Sequence, residues 1–236
     1  MKILIISDFH LFDTRMSPQR DQDRMEKLAG LINTCGADAV LNLGDTVSRA
    51  NLLRPECHSI QDGFLQYLSW RSQFSVPFIE CAIARELPFF TSLTGQKPEA
   101  IFDFDPGVSV VVLAVSGFEI LPEQLSFLTE VLDQCRKAGR KVVIGTHMPY
   151  PGSCSREGVE NFLHVPPDLH KQLTEFPRPV WWCGGHFHWN PEPPKKTGSL
   201  TALYGARFRL DTRNDTTYLR ILDTETEMVD TLFPDF

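Results

Sequence analysis

The feature that most constrains this chain is its opening run, Lys2-Ile3-Leu4-Ile5-Ile6-Ser7-Asp8-Phe9-His10. An unbroken aliphatic stretch of this kind fits a strand buried on both faces, which belongs in a sheet covered by other layers. The run stops abruptly at a carboxylate and an imidazole, both good ligands for a divalent cation. In open α/β sheets, ligands gather at the carboxyl ends of strands, so this is where a site is expected. An isolated Asp-x-His is also an ordinary surface turn. What separates the two readings is whether other strands deliver matching groups.

Further along, Ser17-Pro18 followed by Met25, Leu28, Ala29 and Ile32 predicts a capped amphipathic helix with Gly36 as its stop. Ala39 to Leu43 predicts a second strand running into Gly44-Asp45, where glycine allows a sharp turn before another acid. After a polar insertion from Asn51, a helix carries Ile60, Phe64, Tyr67, Leu68 and Phe74, and Val76 to Ile83 forms a third strand entering Ala84-Arg85-Glu86. Ala100 to Phe104 and Val108 to Val115, separated by Asp105-Pro106-Gly107, predict a hairpin. Pro122 opens a helix through Leu125, Leu128, Leu132 and Cys135 that Gly139 closes. The strand from Lys141 then delivers Gly145-Thr146-His147. A short helix near Asp168 to Phe176 precedes the strand Pro179 to Cys183, which ends in Gly184-Gly185-His186-Phe187-His188. Asn190 to Thr197 reads as an exposed loop. Leu200 to Phe208, Thr216 to Leu222 and Met228 to Phe233 read as antiparallel strands closing the second sheet.

A chain of 236 residues with 42% apolar content suits a single domain, 1–236, with a substantial core. The net charge of -7 argues against a dominant nucleic-acid footprint, so an anionic substrate needs a metal or a local arginine cluster. Arg15, Arg20 and Arg24, or Arg207, Arg209 and Arg213, are either such a cluster or solvated faces. The N-terminal apolar run is too short for a signal sequence or a membrane span. The six cysteines show no C-x-x-C spacing, and Cys183 fits buried packing better than a nucleophile. These features predict a cytoplasmic protein with no membrane partner.

Asp8, His10, Asp45, His147, His186 and His188 thus fall at the ends of four strands, in the order D-x-H, G-D, T-H-x-P, G-H-x-H. This pattern resembles the calcineurin-like metallophosphoesterase superfamily along nearly the whole chain. The resemblance implies an α/β fold in which a β-sandwich of two mixed sheets is flanked by helices, with the site at the strand ends. It implies two divalent transition metals, Mn, Fe or Zn. Asp8, His10, Asp45 and His188 would hold one ion and Asp45, His147 and His186 the other, with Asp45 bridging. A hydroxide between the ions would attack a phosphorylated substrate, mono- or diester, in line with the leaving oxygen.

One motif departs from the family. Where an Asn ligand and a proton-donating His should follow the third strand, this chain has Ala84 and Arg85. Alanine cannot ligate, and a guanidinium holds its proton to above about pH 12. Three outcomes are open. Water or Glu86 fills the gap in an active enzyme, with Asp45 and Arg85 as catalytic groups and Arg85 clamping a phosphoryl oxygen. Alternatively, the chain is a weakened pseudo-phosphoesterase that serves as a binding scaffold. In the third, Asn51 or His58 substitutes from the long insertion.

Overall fold

The structure is a computed structural model describing residues 1–104, 107–115, 117–154, 162–187, 191–205 and 217–233. The opening aliphatic run forms β1 (Lys2–Ile6). Ser17 caps α1 (Pro18–Thr34) by accepting a hydrogen bond from the Arg20 N–H, and Pro18 sits where a helix leaves its N–H unused anyway. That helix crosses over to β2 (Ala39–Asn42), parallel to β1. The next helix, α2 (Ile60–Arg71), leads to β3 (Phe78–Glu80), parallel to β2. After α3 (Leu87–Thr94), the expected hairpin pairs β4 (Ala100–Phe104) with β5 (Val108–Leu113). Its Asp105 and Pro106 lie outside the described residues. Gly139, in the left-handed region, closes α4 (Pro122–Ala138) before β6 (Lys141–Thr146). Next come α5 (Pro167–Thr174), β7 (Val180–Gly184), β8 (Lys195–Thr197), β9 (Leu200–Tyr204), β10 (Leu219–Asp223) and β11 (Met228–Leu232).

These strands make two mixed sheets, ordered β11-β10-β1-β2-β3 and β4-β5-β6-β7-β9-β8. Alternation along each strand sorts its side chains between two cores. Ile3, Ile5 and Leu41 face the other sheet and pack with Val110, Val143 and Trp181. Leu4, Ile6 and Val40 face outward and are covered by Leu28, Phe64 and Tyr67 of the first two helices. On the far side Val111, Ile144 and Trp182 meet Leu128 and Leu132 of α4 and Leu169 of α5. The layering is therefore helix, sheet, sheet, helix, as the resemblance implied.

Three details differ from the sequence-based expectation. Lys195–Thr197 is not a loop but an edge strand antiparallel to β9, and its two lysines are the kind of residue that protects an exposed edge. β9 itself runs parallel to β7, and β10 and β11 extend the first sheet beyond β1 rather than closing the second. Alternating apolar residues mark which face is buried but carry no record of which neighbour a strand pairs with. The eight-residue α3, with proline in its first turn, is too short to show a helical period. No helix among the described residues is long and apolar enough to cross a membrane.

Candidate metal centre

The first two strands end side by side, and their chains continue in step beyond the sheet. The Asp8 N–H donates to the Gly44 carbonyl at 3.0 Å and the His10 N–H to the Asp45 carbonyl at 2.9 Å. Keeping this register while turning forces unusual backbone angles. Gly44 has φ 94°, and Asp8 (58°), His10 (47°), Asp45 (54°) and His186 (77°) all lie in the left-handed region. Such angles cost non-glycine residues roughly 1–2 kcal/mol each, and strain of this kind concentrates at functional sites. Among ligand-bearing residues, Asp and His tolerate it best.

A buried polar network holds the second turn from beneath. Asn42 donates from Nδ2 to Thr46 Oγ1 at 2.9 Å and to Glu80 Oε2 at 2.8 Å, while its Oδ1 accepts from the Gly44 N–H at 3.2 Å. Tyr67 and Arg71 both donate to Glu80 Oε1. Thr146, at the end of β6, donates to the Met148 carbonyl and accepts from the Trp182 indole. Asn42 and Thr146 thus bond within and beside the strands.

The side chains that emerge from these turns converge. Asp8, Asp45 and His147 are buried and present donor atoms that all lie within 4.8 Å of one another. Asp45 Oδ2 stands 3.4 Å from His10 Nε2 and 3.6 Å from His147 Nε2. Asp8 Oδ1 stands 3.8 Å from His10 Nε2, and His147 Nε2 is 3.3 Å from His186 Nδ1. Two donors about 2.0–2.2 Å from a shared ion are roughly 2.8–3.6 Å apart, so the donor set fits divalent cations without large movement. Five of the six residues expected as ligands are therefore brought together. The sixth, His188, lies outside the described residues.

Neighbouring groups orient these side chains. His147 Nδ1 is 2.9 Å from the Leu43 carbonyl, which can only accept, so Nδ1 carries a hydrogen and Nε2 is the nitrogen that faces the centre. Asp8 Oδ2 accepts from Ser7 Oγ at 2.6 Å and from the His186 N–H at 3.0 Å, leaving Oδ1 toward His10. Gly185 makes this approach possible, because a Cβ there would collide with Ser7 Oγ. Burial alone would raise the pKa of Asp45, but His147, His10 and Arg85 outweigh it and hold the carboxyl below its ordinary range.

Arg85 belongs to this centre. Its Nη2 donates to Asp45 Oδ1 at 2.6 Å and to the Val47 carbonyl at 2.8 Å. It therefore fixes one oxygen of the carboxylate while the other faces His10 and His147. Asn51 and His58 are exposed and lie outside the cleft that borders Asp45. Arg24 is buried, bonded to Asp21 and the Phe9 carbonyl, and Arg15 pairs with Asp13. Arg207, Arg209 and Arg213 lie outside the described residues. The sequence reading missed Ser7, Arg49 and Phe118, the last two of which border the cleft. Only Ser7, beside the first motif, left a signal in the sequence. Cys183 is buried, and burial pushes its thiol pKa up, as expected of a packing residue.

Glu86 does not fill the gap left by Ala84. Its Oε2 accepts from the Ile83 N–H at 3.2 Å, and Oε1 is buried without a hydrogen-bond partner. Burial pushes its pKa from an ordinary 4.5 up to about 8, so it is neutral at pH 7. Unfolded, it loses its proton near 4.5; between these values the folded chain holds one proton more. Its contribution to stability is full below 4.5 and is lost as pH rises through about 8. Glu86→Gln is expected to remove this dependence, leaving the variant more stable than wild type at pH 8 by up to roughly 4 kcal/mol. Urea unfolding at pH 5 and pH 8 measures it. An unchanged pH slope would show that Glu86 is ionised in the native state.

Beside Asp45 opens a cleft of about 350 Å³ that Arg49 and Arg85 border on one side and Val115, Phe118 and Met148 on another. No protein-family model matches the sequence, and no curated protein matches it. Solved structures do. A dimetal phosphatase from Danio rerio superposes with a TM-score of 0.74 at 12% identity, covering 100% of this chain and 99% of that one. A sulfate thiohydrolase from Thermus thermophilus gives 0.52 at 14% identity, covering 98% of this chain and 56% of that one. The fold thus hosts more than one chemistry, and what this chain does must be argued from its site. In its two mixed sheets, their flanking helices and the strand ends that gather these side chains, this chain has the calcineurin-like metallophosphoesterase fold.

Proposed function

We propose that this chain hydrolyses phosphoesters at a centre holding two divalent transition-metal ions. The observation that carries the reading is Asp45, whose single oxygen Oδ2 faces His10 at 3.4 Å and His147 at 3.6 Å. Asp8, His10, Asp45 and His188 form one ligand set, and Asp45, His147 and His186 the other. Mixed nitrogen and oxygen donors suit Mn, Fe or Zn. Bound there, the ions would activate water at neutral pH and absorb charge on the phosphoryl oxygens.

The chain's own groups do the rest. Asp45 is kept ionised, and Arg85 positions it by occupying Oδ1. The Leu43 carbonyl fixes His147 in the tautomer that presents Nε2, and Ser7 with the His186 N–H turns Asp8. With a net charge of -7, a phosphorylated small molecule or peptide is a better substrate than duplex nucleic acid. Cysteines without disulfide spacing support a cytoplasmic location.

Ala84, which offers no donor, favours a second reading, a binding scaffold with one ion. The two readings separate on p-nitrophenyl phosphate and bis-p-nitrophenyl phosphate with added Mn. The enzyme reading predicts turnover that chelation abolishes and Mn restores. It also predicts weaker Mn binding in acid, because imidazole ligands must be neutral to bind. One bound ion per chain with no turnover under any transition metal would select the scaffold.

A further inference from the structure

Positive φ recurs at every second residue of the segment that carries Asp8 and His10, with 58° at Asp8, 47° at His10 and 64° at Phe12. For a side chain as large as that of Phe12 such an angle is a genuine outlier, and it persists only where the surroundings over-determine it. Here they do so from two sides. A peptide unit is planar, so holding its oxygen and its N–H together fixes its orientation. In the unit joining Phe9 to His10, the carbonyl accepts from Arg24 Nη2, and the His10 N–H donates to the Asp45 carbonyl at 2.9 Å. In the unit joining Leu11 to Phe12, the carbonyl accepts from the Ser48 N–H at 3.0 Å, and the Phe12 N–H donates to Asp21 Oδ2 at 2.9 Å. Asp45 and Ser48 follow β2, whereas Asp21 and Arg24 come from α1.

We propose that Asp21, Arg24 and Arg54 are positioning residues for His10, acting through these two peptide units. The three are buried and form one network, in which Asp21 Oδ1 accepts from Arg24 Nη1 at 3.2 Å and Oδ2 from Arg54 Nη2 at 2.7 Å. Arg54 also reaches the segment directly. Its N–H donates to the Phe12 carbonyl at 2.8 Å, and its Cζ lies 5.7 Å from the centre of the Phe12 ring. The insertion that begins at Asn51 thus serves the centre by holding its backbone, not by lending a ligand. Without Arg24, the unit joining Phe9 to His10 can rotate about its flanking bonds, which relieves the positive φ of His10 and turns the imidazole away from Asp45. His147 is held by the Leu43 carbonyl instead, so the network supports one ligand set and not the other.

This assignment rests on the two-ion reading of the centre, and the test keeps the two apart. Mn is titrated calorimetrically into wild type, Arg24→Met, Arg24→Lys and Ile32→Ala, and urea unfolding is measured on each. Ile32 is a buried core residue two turns further along α1, so its truncation weakens the fold without removing any of these hydrogen bonds. Arg24→Met should bind one of the two ions about tenfold more weakly and the other as wild type does, tenfold being the lower end of what groups behind metal ligands are worth. Arg24→Lys returns the charge beside Asp21 but not the planar fork, and should fall between. Ile32→Ala should bind both ions normally despite its lower unfolding midpoint. Arg54→Lys keeps the backbone bond to Phe12 and should show the same one-ion loss in milder form, which decides the matter if Arg24→Met does not fold. Wild-type affinity for both ions in these arginine variants, equal weakening of both ions, or a loss matched by Ile32→Ala overturns the positioning role and leaves the two-ion centre standing. Fewer than two ions bound by wild type overturns the centre and the assignment with it.

Discussion

Asp45→Asn is expected to lower phosphoester turnover by at least ~10³-fold, several kcal/mol of transition-state stabilisation, and to remove at least one bound ion per chain. The reason is geometric. Oδ2 of this residue stands 3.4 Å from His10 Nε2 on one side and 3.6 Å from His147 Nε2 on the other, so the proposed centre places it in both ligand sets. An amide of the same shape presents a weaker donor and carries no charge. It also leaves Arg85, whose side chain is 22% exposed, without its anionic partner. That costs some stability, less than the 3–5 kcal/mol typical of a fully buried pair because solvent screens the guanidinium. Unfolding midpoints and metal content measured on the same sample separate loss of the centre from loss of the fold. A variant that folds, binds two ions and turns over normally would remove Asp45 from the mechanism.

Gly185→Ala should cost 10- to 100-fold in metal affinity while the strands stay intact, because the methyl group would enter the space that orients Asp8. An added Cβ overlaps Ser7 Oγ and stands 2.9 Å from Asp8 Oδ2. Ser7 and the His186 N–H are what hold that oxygen, so the intrusion pushes Asp8 away from His10. Adding Ser7→Ala removes the overlapping hydroxyl at the expense of one hydrogen bond, and should recover part of the affinity. Calorimetric Mn titration of the three proteins measures the series. Equal affinity in wild type and Gly185→Ala would mean that Asp8 is not held by this contact.

Much of this architecture is legible in the sequence because it rests on local signals. A strand buried on both faces shows as a run of apolar residues, and Lys2–Ile6, Ala39–Asn42, Lys141–Thr146 and Val180–Gly184 each contain one. In parallel sheets the strand ends gather on one edge, so the residues following those runs were the ones to watch. What stayed hidden depends on neighbours remote in sequence. The pairing of β9 with β7 and of β10 with β1 is one example. The bond from Arg85 to Asp45, 40 residues away, is another. The left-handed angles at Asp8, His10, Asp45 and His186 are also invisible in the sequence, since none is glycine. Asn42 looked like one more strand residue, yet it ties Gly44, Thr46 and Glu80 into the support beneath Asp45.

Crystals soaked in Mn, with diffraction recorded at an energy where manganese scatters anomalously, give the most direct answer. Two peaks are expected, roughly 3.5–4 Å apart, with Asp45 between them, one beside Asp8 and His10 and the other beside His147 and His186. A single peak with Arg85 occupying the second position, or manganese bound elsewhere while these side chains stay empty, would contradict the shared-carboxylate centre.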